Sequence, residues 1–214
     1  MSQIFLETFD EADTQTSGTE NIGGVTWTSS CPTCIAGDYW YTLGGVFEAN
    51  DTNGPAVWET TSLIDISSCN FIEISFDIDG TGDFEPCGDG CTATDWIALE
   101  YNIDNTGWQS PPNSYFCPGP CAALNVVYDV SGSPIGFNYG TGCLMGGSNL
   151  QLRISVQCWA GSEYWRIDNI AVDCATGPTV GAGMDQTVCT GSNVTLTATN
   201  PDAAAITWNN GVTD

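Results

Sequence analysis

The chain has no lysine, no histidine and only two arginines, against 26 aspartates and glutamates, and carries a formal net charge of −24 over 214 residues. Each shortage excludes something. Without a basic footprint there is nothing to neutralise phosphates, so nucleic-acid binding is excluded. Without histidine, imidazole-dependent acid–base and triad catalysis are excluded. No apolar run approaches the roughly 20 residues that a membrane-spanning helix requires. The acidic surplus itself suits solubility in a salty setting and capture of divalent cations, and the two are compatible.

What is present points to an all-β chain with a sizeable core. Hydrophobic residues make up 42% of the sequence and include eight tryptophans, while 25 glycines and ten prolines fall between short alternating runs. Eleven cysteines indicate an oxidising compartment. Zinc is the competing account, because Cys31-Pro-Thr-Cys34 has ligand-like spacing. Yet no histidine is available and the surroundings are acidic, so disulfides are favoured. Cys87-Gly-Asp-Gly-Cys91 and Cys117-Pro-Gly-Pro-Cys121 are small turn-rich loops, and local bridges 31–34, 87–91 and 117–121 are expected.

Several runs alternate with the period of a half-buried strand. Ile72, Ile74, Phe76 and Ile78 share one face, with Glu73, Ser75 and Asp77 on the other. Ile97, Leu99, Tyr101 and Ile103 are expected inward, and Leu150, Leu152, Ile154 and Val156 form a further inward set. Shorter strands are expected around Val25–Thr28, Val46–Asn50, Trp58–Ile66 and Val126–Val130. Between Asp77 and Glu85, acidic residues are spaced through a glycine loop without the full pattern of a calcium-binding hand. Residues 109–123, rich in proline, asparagine and cysteine, read as a stapled loop presenting Tyr115 and Phe116.

The two ends match each other. The closing stretch Glu163-Tyr-Trp-Arg-Ile-Asp-Asn-Ile-Ala-Val-Asp-Cys174 has Trp165 and Ile167 on one parity and Ile170 and Val172 on the other. Asp168-Asn169 sits at the switch, which predicts a β-bulge. The opening stretch Ile4-Phe-Leu-Glu-Thr-Phe-Asp10 places Glu7 at the parity of Phe5 and Phe9. Together these ends resemble the first and last strands of an extracellular jelly-roll module, similar to MAM domains and to lectin-like jelly rolls of secreted Bacteroidetes proteins. The resemblance covers roughly residues 4 to 174.

That resemblance implies an antiparallel β-sandwich whose first and last strands lie side by side and share a structural calcium. Glu7, Asp10 and Asp168 are the matching ligands, and Glu48, Asn50 and Asp51 would complete the shell. The alternatives are an ion pair from Glu7 to Arg153 or Arg166, or plain solvent exposure. A bridge from Cys69 to Cys174 is implied as the terminal pair of such modules. A second long bridge is expected between Cys143 and Cys158, leaving Cys189 over.

Beyond Cys174, a Thr-Gly-Pro break leads to Val188–Thr199 and Ile206–Gly211, which resemble the first strands of an Ig-like repeat. Two regions are therefore expected: a jelly roll over 1–175, and a linker with a truncated Ig-like unit over 176–214. The resemblance is to large surface proteins exported by type IX secretion, of which this chain would be the amino-terminal piece.

Three functions compete. The first is a calcium-stabilised, non-catalytic module of a cell-surface or secreted adhesin or fibre. The second is a carbohydrate-binding module of a secreted polysaccharide-degrading enzyme, with Tyr39, Trp40, Tyr41, Trp108 and Tyr115 as binding aromatics and Trp159 in reserve. The third is a glycosidase with paired carboxylates, for which no two acids stand out. Expected partners are a surface glycan or other extracellular ligand and further domains of the same polypeptide.

Overall fold

In a computed structural model, the structure describes residues 2–82, 84, 95–111, 114–116 and 135–175. Their regular elements are all strands, in two seven-stranded antiparallel sheets, so the all-β class expected from the alternation and the β-sandwich implied by the resemblance are what is observed. The strands are β1 (Ser2–Glu7), β2 (Ser17–Thr19), β3 (Thr26–Ser30), β4 (Tyr39–Leu43), β5 (Val46–Asn50), β6 (Ala56–Thr60), β7 (Ile64–Asp65), β8 (Phe71–Thr81), β9 (Trp96–Ile103), β10 (Tyr115–Phe116), β11 (Ile135–Gly140), β12 (Leu144–Met145), β13 (Asn149–Gln157) and β14 (Tyr164–Ala175). The first sheet runs β11-β8-β14-β5-β4, with β1 beside β14 and β12 beside β8. The second runs β10-β9-β13-β6-β3-β2, with β7 beside β13. The expected Val126–Val130 strand, the 87–91 and 117–121 bridges, and everything expected of 176–214 lie outside the described residues.

The bulge falls where the parity switch put it. Asp168 pairs with Asp77 and Ala171 with Ser75, so β14 carries one more residue than β8 across that interval. Asn169 takes up the extra residue at φ 51°, a left-handed conformation that asparagine tolerates better than most side chains. On its other edge β14 changes neighbour at the same place. Residues 164–167 pair with β5, whereas 170–174 pair with β1, Glu7 lying opposite Ile170. The first and last strands therefore lie side by side.

Alternation fills the space between the sheets. Ile72, Ile74, Phe76 and Ile78 from β8 meet Leu150, Leu152, Ile154 and Val156 from β13 in one buried cluster. At one end of that cluster Phe9, Trp27, Phe47 and Trp58 make mutual ring contacts at 5.0–6.2 Å between centroids, each such pair worth about 1 kcal/mol beyond its area. Residues 115–116 form a short strand beside β9 rather than a loop tip: Phe116 is buried against Phe76 and Tyr139. In β9 the inward set ends at Leu99. Tyr101 and Ile103 are only partly covered, while the outward Asn102 is buried because the turn folds over it, its Oδ1 accepting from the Gly107 N–H. Gly82, at φ 132°, ends β8 where a Cβ would fall 2.4 Å from the Ser162 carbonyl, so only glycine fits.

Two of the expected disulfides are formed, Cys31–Cys34 and Cys69–Cys174. The second closes 105 residues and joins the start of β8 to the end of β14; in the chain-entropy model such a loop contributes roughly 4–5 kcal/mol. The 143–158 bridge is not formed. Both residues are thiols, Cys143 exposed beside β12 and Cys158 buried at the end of β13. Cys143 precedes β12 of the first sheet, whereas Cys158 follows β13 of the second.

One acid lies inside the core. Glu7 follows the parity of Phe5 and is fully buried. The Phe9 N–H donates to its Oε1 at 2.6 Å and the Trp27 indole N–H to its Oε2 at 2.5 Å. The expected partner arginines are engaged elsewhere, Arg153 with Glu59 and Glu100 and Arg166 with Glu48 and Asp79. Burial raises the Glu7 carboxyl from its ordinary 4.5 to about 7; the Phe9 N–H opposes this and the neighbouring Glu11 adds to it. Below 4.5 the acid is protonated both folded and unfolded. Between 4.5 and 7 only the folded chain keeps the proton, so stability falls as pH rises through that window and levels above it. In buffer free of divalent ions, the loss between pH 4.5 and pH 8 is expected to be about 3 kcal/mol from this group, and Glu7→Gln should flatten that segment of the urea-denaturation profile. An unchanged profile in the variant would assign the pH dependence to other acids.

Candidate functional site on the outer face of the first sheet

The residues that alternate with the core set of β4, β5, β14, β8 and β11 form one outward face, and register fixes their neighbours. One row runs Tyr39–Asn50–Tyr164–Thr81, the next Tyr41–Glu48–Arg166–Asp79, and a third places Asp168, Asp77 and Asn138 side by side. Tyr39 and Tyr41, two apart on β4, project to the same side and stack at 4.3 Å with 12° between ring planes. A groove of about 420 Å³ crosses the face beyond them, lined chiefly by Val46, Asp77, Asp79, Asn138, Arg166 and Asp168.

Arg166 is the hub of this face. Its Nε donates to Glu48 Oε2 at 2.5 Å, and its Nη1 donates to Asp79 Oδ2 at 3.2 Å and to Thr81 Oγ1 at 3.1 Å. The other oxygen of Glu48 accepts the Tyr39 hydroxyl at 2.6 Å. Burial, reinforced by that carboxylate, pushes the Tyr39 hydroxyl well above its usual range, so it stays a donor. Glu48 is nearly buried and needs both partners.

The bulge supplies the other half of the groove. Asp168 and Asp77 are direct cross-strand neighbours of like charge, an arrangement that ordinarily destabilises a sheet. Amides hold them instead of cations: Asn169 Nδ2 donates to Asp77 Oδ2 at 2.8 Å and to Asp168 Oδ2 at 3.3 Å, and Asn138 Nδ2 donates to Asp77 Oδ1 at 3.0 Å. Burial raises the Asp168 carboxyl, the Asn169 N–H lowers it, and the charge of Asp77 raises it further. The outer ring of a stacked pair beside a row of hydrogen-bond acceptors can hold a polyhydroxylated ring: one aromatic face covers its apolar side and the carboxylates accept hydrogen bonds from its hydroxyls.

Of the binding aromatics expected from sequence, Tyr39 and Tyr41 lie on this face. Trp40 points the other way and is buried edge-on against Phe47. Tyr115 belongs to the opposite sheet, where it stacks on Trp96, and Trp108, in the segment after β9, lies 3.9 Å from the Arg153 guanidinium of that sheet. Trp159, about half exposed, sits in the loop between β13 and β14. Sequence reading missed Arg166, Asp77, Asp79, Asn138 and Tyr164 as parts of one site. Their outward parity was readable, but their juxtaposition depends on strands far apart in sequence.

The six expected metal ligands do not converge. Glu7 is in the core, Asp10 is exposed, Glu48 is held by Tyr39 and Arg166, and the Asn50 amide donates to the Glu163 carbonyl. Asp51 sits at φ 47° in the loop after β5, its carboxyl raised by burial and by the charge of Asp38. Asp168 faces outward. Among the described residues, no three acidic or cysteine side chains form a ready-made metal cluster. One buried oxygen does stand out near Glu7: Glu11 Oε2 has no hydrogen-bond partner among the described residues.

The two arginines give a contrast that can be measured. Arg166 serves a glutamate whose side chain is 8% exposed, whereas the partners of Arg153 are 39% and 32% exposed. Removing Arg166 strands Glu48, so Arg166→Leu is expected to cost about 2–3 kcal/mol. Arg153→Leu should stay within about 1 kcal/mol, since its carboxylates remain solvated. Equal costs in chemical denaturation would contradict this difference in burial.

The sequence matches no family model and no curated protein. Among solved structures, the chain is similar to the K3 cleaved adhesin domain of Lys-gingipain from Porphyromonas gingivalis, at 8% identity over 80% of this chain and 97% of that one, TM-score 0.47. It is also similar to TmCBM61 in complex with β-1,4-galactotriose, at 11% identity over 70% and 82%, TM-score 0.36. A third is the CBM22-1 xylan-binding domain of Paenibacillus barcinonensis Xyn10C, at 14% identity over 80% and 93%, TM-score 0.29. No residue's role passes from those proteins to this chain.

Proposed function

We propose that this chain is a non-catalytic extracellular recognition module of a large surface or secreted protein, and that it binds a saccharide on the outer face of its first sheet. The observation that carries the reading is the stacked Tyr39–Tyr41 pair beside the acceptor-lined groove at Arg166. Two disulfides within one sandwich support an oxidising, extracellular setting. Tyr41 is the sharper probe, because Tyr39 is tied to Glu48. On a polysaccharide panel, Tyr41→Ala should weaken retention roughly tenfold, the 1.4 kcal/mol scale of one aromatic contact, with a melting temperature within a few degrees of the parent. Retention unchanged by Tyr41→Ala would remove this face from the binding site.

Calcium belongs to the same proposal, at the amino-terminal end rather than in a shell shared with Asp168. A buried Glu7 flanked by the charges of Glu11 and Asp10, with one Glu11 oxygen orphaned, suits a hard cation that takes oxygen ligands in loose geometry. Binding only to the folded state would stabilise it by about 2.7 kcal/mol at a hundredfold excess over Kd. A chelator should therefore lower the melting temperature, and Glu11→Gln should abolish that sensitivity. A melting curve indifferent to chelator would leave Glu7 as a buried core acid without a bound cation.

A further inference from the structure

We infer that the outer face of the first sheet is selective by charge, accepting uncharged saccharides and rejecting acidic ones, with Asp77 and Asp168 as the residues that impose the choice. The inference rests on the recognition reading above and adds the class of ligand. The only cation on the face, Arg166, is bound between Glu48 and Asp79 and so already neutralised. Beyond it, the groove is lined by Asp77 and Asp168, adjacent in register and held by the amides of Asn138 and Asn169. Those contacts leave acceptor lone pairs for paired sugar hydroxyls, which donate protons. A uronate or sulfate placed there would meet like charge on two sides, with its only nearby cation occupied. Repulsion of the wrong ligand is a recognised source of specificity, and a groove focuses it more than a flat surface does.

The like-charged pair faces across two central strands where the groove lies, and the extra residue of the bulge supplies the Asn169 amide that holds both acids.

The test is retention of the whole chain on soluble polymers in chelator and low salt, so that no added cation bridges acids. The probes are β-glucan, galactan and xylan as uncharged polymers, and polygalacturonate and a sulfated galactan as acidic ones. The parent should be retained by at least one uncharged polymer and at least tenfold less by both acidic ones. The double variant Asp77→Asn with Asp168→Asn should narrow that ratio at least tenfold. Glu59→Gln with Glu100→Gln, the same change in net charge on the opposite sheet, should leave it unaltered. Equal retention of the parent on acidic and uncharged polymers overturns the inference while leaving recognition intact, as does a ratio that both double variants shift alike. Retention on no polymer at all overturns the recognition reading and the inference with it.

Discussion

The pairing of β14 with β8 is the constraint from which the rest of the sandwich follows. These two strands stay in register from Tyr164–Thr81 to Ala175–Phe71, interrupted only at the bulge. Because β14 is the longest strand, it has room for two successive neighbours on its free edge, β5 and then β1. That hand-over brings Glu7 to the aromatic cluster around Trp27, and brings β4 and its tyrosines alongside Arg166. The Cys69–Cys174 bond fastens the same strand pair at its far end. Core, candidate site and disulfide are thus three consequences of one ladder.

The charge balance is resolved in a regular way. With two cations for 26 acids, the chain places one arginine on the outer face of each sheet. Arg166 lies between Glu48 and Asp79 in the first, and Arg153 between Glu59 and Glu100 in the second, each pair contributed by the flanking strands. An aromatic ring accompanies both, Tyr164 at 5.4 Å and Trp108 at 3.9 Å. Removing one partner of a cross-strand opposite-charge pair costs little where both are exposed and more where the acid left behind is buried. Each scarce cation sits between two carboxylates of the flanking strands.

The fold was legible because burial in a sandwich writes itself into the sequence with period two. Phe71–Thr81, Asn149–Gln157 and the parity switch at Asp168-Asn169 each carried that signal locally, and the structure agrees with them. Short elements such as β7, β10 and β12 offer two residues apiece, too few for any pattern, and they exist only because a longer strand already lies beside them. The site was half legible. Tyr39 and Tyr41 could be flagged as members of an aromatic cluster, but so could Trp40, and the strand's parity sends that one into the core. Arg166 meeting Glu48 across 118 residues, or Asp168 meeting Asp77 across 91, has no local trace. The failed 143–158 bridge has the same origin: cysteine spacing says nothing of which sheet each thiol occupies.

The single extra residue at Asn169 has a consequence for how such a chain can diverge. Deleting it would let β14 pair with β8 without interruption, a gain in ladder regularity. Ile170 and Val172 would then fall on the parity of Trp165 and Ile167, so all four would still face the core and Cys174 would still meet Cys69. The loss would fall on the outer face, which would give up the amide that holds both Asp77 and Asp168. A chain of this kind can therefore shed the extra residue without shedding its core or its crosslink, and what it would forfeit is the groove.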